Sequence, residues 1–267
     1  MKLQPQSINL KDCGLELSFY GKLQKSKVPL VFIHGAGGNG LLWEQQLSGL
    51  SGSFSTIALD LPGHGKSRGN PCPSISLYRE VIRDFKESLN LSSFVICGHS
   101  MGGAIAMDYH FKYPHDLQAI ILVGTGGRLR VAAEILDRFG RGDSMPGMAE
   151  LLFGSDAPPQ MVRDGEKYIA MVPAEVWYTD FTACNNFDLL DDLHRINIPT
   201  LVLCGVEDRM TPPKYSRYLH ENIPGAVVEL FAGSGHMLMM EKPGEVNHAI
   251  EKFLSGLKQQ NINLKNG

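Results

Sequence analysis

The sequence is poor in organised cysteine. Its five cysteines, Cys13, Cys72, Cys97, Cys184 and Cys204, are an odd and scattered set with no CxxC pair, which removes disulfide scaffolds, zinc fingers and dithiol redox centres from consideration. Nine histidines contain no HExxH and no tight ligand cluster, so no metal site is expected. There is no excess of either charge: 25 basic against 28 acidic residues leave a net charge of −3, and no basic field invites nucleic acid or an anionic membrane. No uninterrupted apolar run reaches the roughly 18 residues of a membrane span. The N-terminal MKLQPQSINL places Gln4, Pro5, Gln6 and Asn9 where a signal peptide needs an apolar core, so a cytoplasmic location is expected. Internal repeats and low-complexity tracts are missing too.

What is present is an ordinary globular composition, 43% hydrophobic and 20% charged over 267 residues. That length fits one α/β domain with an insertion better than two full domains. The most informative stretch is residues 94–103, FVICGHSMGG. Four apolar residues suit a buried strand, and a helical pattern begins at once beyond Met101, with Ala104, Ile105, Met107 and Tyr109 at core-facing spacings. A strand that becomes a helix within a few residues passes through a cramped backbone, which is easiest where the flanking positions lack side chains. Gly98 and Gly102 meet that need on either side of Ser100. The turn would lift the serine hydroxyl clear of the sheet and aim the first amides of the helix at whatever reacts there.

Taken in order, the chain predicts a hairpin over 7–20, a buried strand over 28–33 ending in the Gly-rich loop 34–40, a helix over 41–50 and a strand over 54–59 ending in Asp60-Leu61-Pro62-Gly63-His64-Gly65-Lys66-Ser67. A helix near 77–89 leads into the elbow strand, and 119–123 form the next one. Trp43 reads as core packing, and Cys97 and Cys204 as buried structural thiols. The alternation predicts a mostly parallel central sheet flanked by helices. It stops at Gly124. Residues 125–196 offer only short helical pieces broken by glycine and proline, read as an inserted helical cap on a core made of 1–124 and 197–267. The sheet resumes at 199–204 and closes with 226–231. The final helix is predicted over 244–257, followed by a fraying polar tail from Asn261 to Gly267.

In such sheets functional groups collect where the strands end, because those ends open on one side. The loops there bring together Ser100, Asp208 and His236. A serine hydroxyl needs a base to take its proton, histidine with an ordinary pKa of about 6.5 suits the task, and a carboxylate fixes its tautomer. Negative charge developing on an attacked carbonyl oxygen needs donors already in place. Met101 N–H is one candidate and Ala36 N–H the other.

These motifs, in this order and at these intervals, resemble the α/β-hydrolase superfamily: His34-Gly35, residues 60–67, Gly98-His99-Ser100-Met101-Gly102, Gly205 to Asp208, and Gly235-His236. The resemblance spans about residues 28–255, with the cap weakly matched. It implies the fold, a Ser–His–acid triad and a mobile lid, and it places the acid at Asp208 rather than the neighbouring Glu207. It does not imply one substrate. His34, His64 and His99 read as residues that hold loops and pack the elbow.

Two rivals stand beside this reading. Gly35-Ala36-Gly37-Gly38-Asn39-Gly40 satisfies GxGxxG after a strand and before a helix, with Asp60 ending the next strand, which are the conditions for binding a dinucleotide such as NAD. That reading leaves Ser100, Asp208 and His236 unexplained. The other rival is a non-catalytic receptor on the same fold.

For the substrate, Met148, Leu151, Leu152, Phe153, Met161, Tyr168 and Trp177 of the cap, with Met145 and Met171, join Met237, Leu238, Met239 and Met240 of the histidine loop. They predict an adaptable apolar pocket for a small acyl ester, with Trp177 and Met237 as substrate contacts and no cofactor. Arg128 and Arg130 are candidates for binding a substrate carboxylate. Arg138, Arg141 and Arg163 are candidates for the phosphates of a coenzyme A thioester. Thioesters, lactones, amides and carbon–carbon bonds of diketones remain open as alternatives to an ester.

Overall fold

The computed structural model describes residues 3–265. Eight strands form one sheet: β1 (Gln6–Asn9), β2 (Glu16–Gly21), β3 (Pro29–Ile33), β4 (Ser55–Leu59), β5 (Phe94–His99), β6 (Leu117–Val123), β7 (Thr200–Gly205) and β8 (Val227–Phe231). They lie in the order β1-β2-β4-β3-β5-β6-β7-β8. The β1–β2 and β2–β4 pairs are antiparallel, and every pair from β4–β3 to β7–β8 is parallel. This is the mostly parallel sheet that the sequence predicts. Every residue of β4, β5 and β7 is buried, as expected of strands covered on both faces.

Among the described residues ten α-helices flank and extend it: α1 (Glu44–Gly49), α2 (Ile75–Ser88), α3 (Met101–Lys112), α4 (Ala133–Gly140), α5 (Met148–Leu152), α6 (Pro159–Met171), α7 (Ala174–Asn185), α8 (Pro213–Asn222), α9 (Leu238–Glu241) and α10 (Pro243–Lys265). Alternate strand residues feed two cores, one on each face. Val31, Ile33 and Ile96 pack with Ile105 and Tyr109 of α3, whereas Leu30, Phe32 and Cys97 pack with Trp43, Leu238 and Ile250 on the other side. The period of two along each strand produces this division. Trp43 is fully buried against Phe32, with ring centroids 4.8 Å apart.

Two differences from the sequence reading stand out. Residues 40–43 form a 3₁₀ turn before α1, with the Asn39 side chain accepting from Leu41 N–H. The last helix continues beyond Leu257 to Lys265, through most of the tail expected to fray, and Asn266 and Gly267 lie outside the described residues. Its sequence, KQQNINLK, lacks proline and glycine, so nothing local stops the helix earlier. Between β6 and β7 the chain forms α4–α7 and no strand, only one isolated bridge between Arg128 and Asp188. Among the described residues no helix is long and apolar enough to cross a membrane.

Candidate active site

The turn from β5 into α3 holds Ser100 at φ 51° and ψ −114°. A non-glycine residue with positive φ is strained, and such strain clusters where a side chain must be presented. The flanking glycines are required by close approach rather than by flexibility. A Cβ on Gly98 would lie 2.0 Å from the Gly102 carbonyl oxygen, and one on Gly102 would lie 2.4 Å from the Ile33 oxygen. Backbone bonds pin the turn: Ser100 N–H donates to Val123 O at 2.9 Å, and the Thr125 hydroxyl donates to Ser100 O at 2.8 Å.

His236 lies on the loop between β8 and α9. Its Nδ1–H donates to Asp208 Oδ2 at 2.9 Å. The Asp208 carboxylate also accepts from the Thr211 hydroxyl at 2.7 Å and from the backbone N–H groups of Met210 at 2.9 Å and Thr211 at 2.8 Å. Burial alone would raise the Asp208 pKa, but the His236 ring and these donors outweigh it and hold the carboxyl below its ordinary value. Thr211 is a member of the site that sequence reading missed; its only signal is a position three residues after the acid. Glu207, the alternative acid, turns away and accepts from Ser155 N–H and the Ser155 hydroxyl, each at 2.7 Å.

Ser100, His236 and Ala36 line one cavity of about 530 Å³, within the usual range for small-molecule sites, about 300–1,000 Å³. No hydrogen bond joins the Ser100 hydroxyl to His236 here, and such contacts commonly tighten only around a bound substrate. The N–H groups of Ala36 and Met101 make no hydrogen bond to the described residues, whereas the next two along the glycine loop are taken: Gly37 N–H by Asp180 Oδ2 at 2.8 Å and Gly38 N–H by Gly35 O at 3.0 Å.

The cavity roof is apolar. Met148, Leu152, Phe153, Met161, Trp177 and Phe181 come from α5–α7 and the loop after α5, and Met237 and Met240 come from the histidine loop and α9. Trp177 and Met237, expected as substrate contacts, therefore both line it. Five expected lining residues do not: Leu151 is half-buried outside it, Leu238 and Met239 are fully buried in the core, Met171 is 76% exposed, and Met145 lines a separate, smaller hollow. A short helix at 238–241 turns alternate sides inward, which the run of four apolar residues conceals.

His34, His99 and His64 hold loops. His34 Nε2 accepts from Leu61 N–H at 3.0 Å while its Nδ1–H donates to Gly35 O, and burial keeps it neutral, with a pKa well below the ordinary value. His99 Nε2–H donates to His236 O at 3.0 Å, and burial pushes its pKa down to about 3. His64 Nδ1–H donates to Pro62 O and its Nε2–H to Asp180 Oδ2, at 2.9 and 2.8 Å.

Arg128 and Arg130 pair with Asp188 at 3.7 and 3.4 Å and do not line the cavity. Arg138, Arg141 and Arg163 bond to Ser144 O, Asp143 and Gln160. Asp60, the acid of the dinucleotide motif, is fully buried and accepts from the N–H groups of Gly40 and Lys66, each at 2.7 Å. It holds its own loops instead of facing a ribose. Among the described residues no three metal-ligating side chains gather.

Residues 30–249 match the alpha/beta hydrolase family. The chain belongs to the α/β-hydrolase family. It is 25% identical to 3-oxoadipate enol-lactonase 2 of Acinetobacter baylyi, over 93% of this chain and 96% of that one. A structure of a thermophilic esterase superposes with a TM-score of 0.82 at 30% identity, covering 96% of this chain and 99% of the other. A thermophilic esterase from Thermogutta terrifontis, with malate bound, gives 0.84 at 25% identity over 95% and 99%. Membership accounts for the sheet order and the elbow, and it makes hydrolysis the chemistry to be explained.

Proposed function

We propose that this α/β hydrolase is a serine carboxylesterase for a small, largely apolar ester, with Ser100 as nucleophile, His236 as base, Asp208 as the acid that orients it, and the Ala36 and Met101 amides as oxyanion donors. The observation that carries the reading is the strained Ser100 in the same cavity as His236, whose other ring nitrogen is held by Asp208 at 2.9 Å. Helices α4–α7, entering between β6 and β7, act in this reading as the cap over that cavity.

In the first half-reaction Ser100 Oγ attacks the acyl carbon while its proton passes to His236 Nε2. The Nδ1–H of the resulting imidazolium stays bonded to Asp208, which remains ionised. The tetrahedral oxyanion is stabilised by two amides that need no reorganisation. Collapse breaks the bond to the alcohol oxygen, which leaves with the proton from His236. In the second half a water gives a proton to His236 and attacks the acyl-enzyme, and the acid leaves as Ser100 regains its proton. A lactone is an ester closed on itself, and the likeness to an enol-lactonase supports it as the second reading.

The test is hydrolysis of short and medium p-nitrophenyl esters and of simple lactones by the wild type and Ser100→Ala. Turnover by the wild type and its fall by about 10⁴-fold or more in the variant are expected. Undiminished turnover in Ser100→Ala would remove the serine mechanism.

A further inference from the structure

The two proposed oxyanion donors are held in very different ways. Met101 N–H belongs to the first turn of α3 and is fixed by the helix. Ala36 N–H sits on residues 34–40, a loop with glycine at 35, 37, 38 and 40. So few side chains give such a loop little means of fixing itself, and its backbone carries the largest conformational freedom.

External groups supply the missing restraint, and they converge on Gly37. Its N–H donates to Asp180 Oδ2 of α7 at 2.8 Å, and its carbonyl accepts from the Tyr168 hydroxyl of α6 at 2.9 Å. Its α-carbon lies under the Trp177 ring, so close that a Cβ there would approach the ring to 2.5 Å. All three restraints come from the helical insertion. The Gly37 N–H shares a peptide plane with the Ala36 carbonyl, so fixing its direction fixes the torsion beside the Ala36 amide.

Asp180 itself is anchored from the core. It is fully buried and accepts from the Tyr78 hydroxyl of α2 at 2.6 Å and from His64 Nε2–H at 2.8 Å. His64 donates its other N–H to Pro62 O at 2.9 Å, so both ring nitrogens are donors and the ring is an imidazolium. With neither nitrogen free, His64 transfers no proton to a substrate. The pair is a structural charge inside the molecule, and a buried charge pair is tolerated only where its geometry is fully satisfied.

We propose that Asp180 is a positioning residue that sets the Ala36 oxyanion donor through Gly37, so that the helical insertion completes the catalytic site when it is seated on the core. This rests on the serine-hydrolase reading. The insertion then shapes transition-state stabilisation as well as the pocket.

The test pairs kinetics with hydrogen–deuterium exchange on Asp180→Asn and the wild type. If Gly37 is set by Asp180, kcat falls by about 10- to 100-fold, part of the loss from removing one oxyanion donor, while KM changes little. The amides of residues 34–40 exchange faster in the variant. An unchanged kcat, a rise in KM alone, or unchanged exchange of that loop overturns the proposal. Should Asp180→Asn fail to fold, Tyr168→Phe, which frees the Gly37 carbonyl, is judged by the same two readouts with a smaller kcat effect. Ester turnover by the wild type, lost in Ser100→Ala, reports separately on the hydrolase reading. If the wild type turns over no ester, that reading fails, and the exchange of residues 34–40 alone decides whether Asp180 holds the loop.

Discussion

The molecule contains two buried histidine–aspartate pairs of almost the same length, His236–Asp208 at 2.9 Å and His64–Asp180 at 2.8 Å. Their surroundings differ. His236 borders the cavity, and its Nε2 has no partner among the described residues, whereas His64 is capped on its far side by Pro62 O. Asp208 is held by its own loop, through Met210 and Thr211. Asp180 is held by elements 102 to 143 residues away in sequence. One pair has an open end and can move a proton; the other is closed at both ends and can only hold. A histidine beside a carboxylate is therefore defined by what faces its second nitrogen.

Substitution breaks that comparison most sharply. His236→Ala and Asp208→Asn are each expected to lower kcat by about 10⁴-fold, since one removes the base and the other leaves it in the wrong tautomer. His64→Gln should cost about tenfold, because it touches the oxyanion site only through Asp180 and Gly37. Steady-state kinetics on one p-nitrophenyl ester decides; equal losses would mean that both pairs transfer protons.

The pairs should also leave opposite marks on stability. Burial lowers the His64 pKa, but its bonds to Asp180 and Pro62 outweigh this and hold it above 6.5. Its contribution is complete below about pH 6.5 and is lost as pH rises through the folded-state value. The Asp208 carboxyl is held below its ordinary value, so its contribution is present above about pH 4 and is lost as pH falls through the folded-state value. Melting temperatures across the pH range should show His64→Gln converging on the wild type in alkali and Asp208→Asn converging in acid. The reverse pattern would contradict the assigned charges. The smallest effect expected is that of Arg128→Ala, which should leave the preference between neutral and acidic esters unchanged, because Arg128 is half exposed and pairs with Asp188 away from the cavity.

The elbow was legible because backbone geometry demands particular residues at fixed spacing. Gly98 and Gly102 are compelled by contacts of 2.0 and 2.4 Å, so they appear in the sequence as a pattern. The Asp208–His236 pairing was legible through the loops that end β7 and β8. The Asp180 clamp was not. It joins a side chain to a backbone amide across 143 residues, and its only trace is a carboxylate set among the apolar residues Trp177, Phe181 and Cys184 of α7. Residues 237–240 turn both toward the cavity and toward the core, so Met239 and Met240 look alike in sequence, yet Met240 lines the cavity and Met239 does not. The glycine loop shows the opposite failure: its spacing fits a dinucleotide motif, yet Asp60 is engaged by Gly40 and Lys66.

The base of the helical insertion carries a consequence of its own. It departs after β6 and returns before β7, and these strands are neighbours. The two arms meet again at once, through the Arg128–Asp188 bridge and Leu189 N–H donating to Gly127 O at 2.8 Å. The segment is thus a long excursion with a closed neck, and its length above the neck places no demand on the order of the sheet. A scaffold built this way can accept a longer, shorter or wholly different insertion at this point while its strands keep their order.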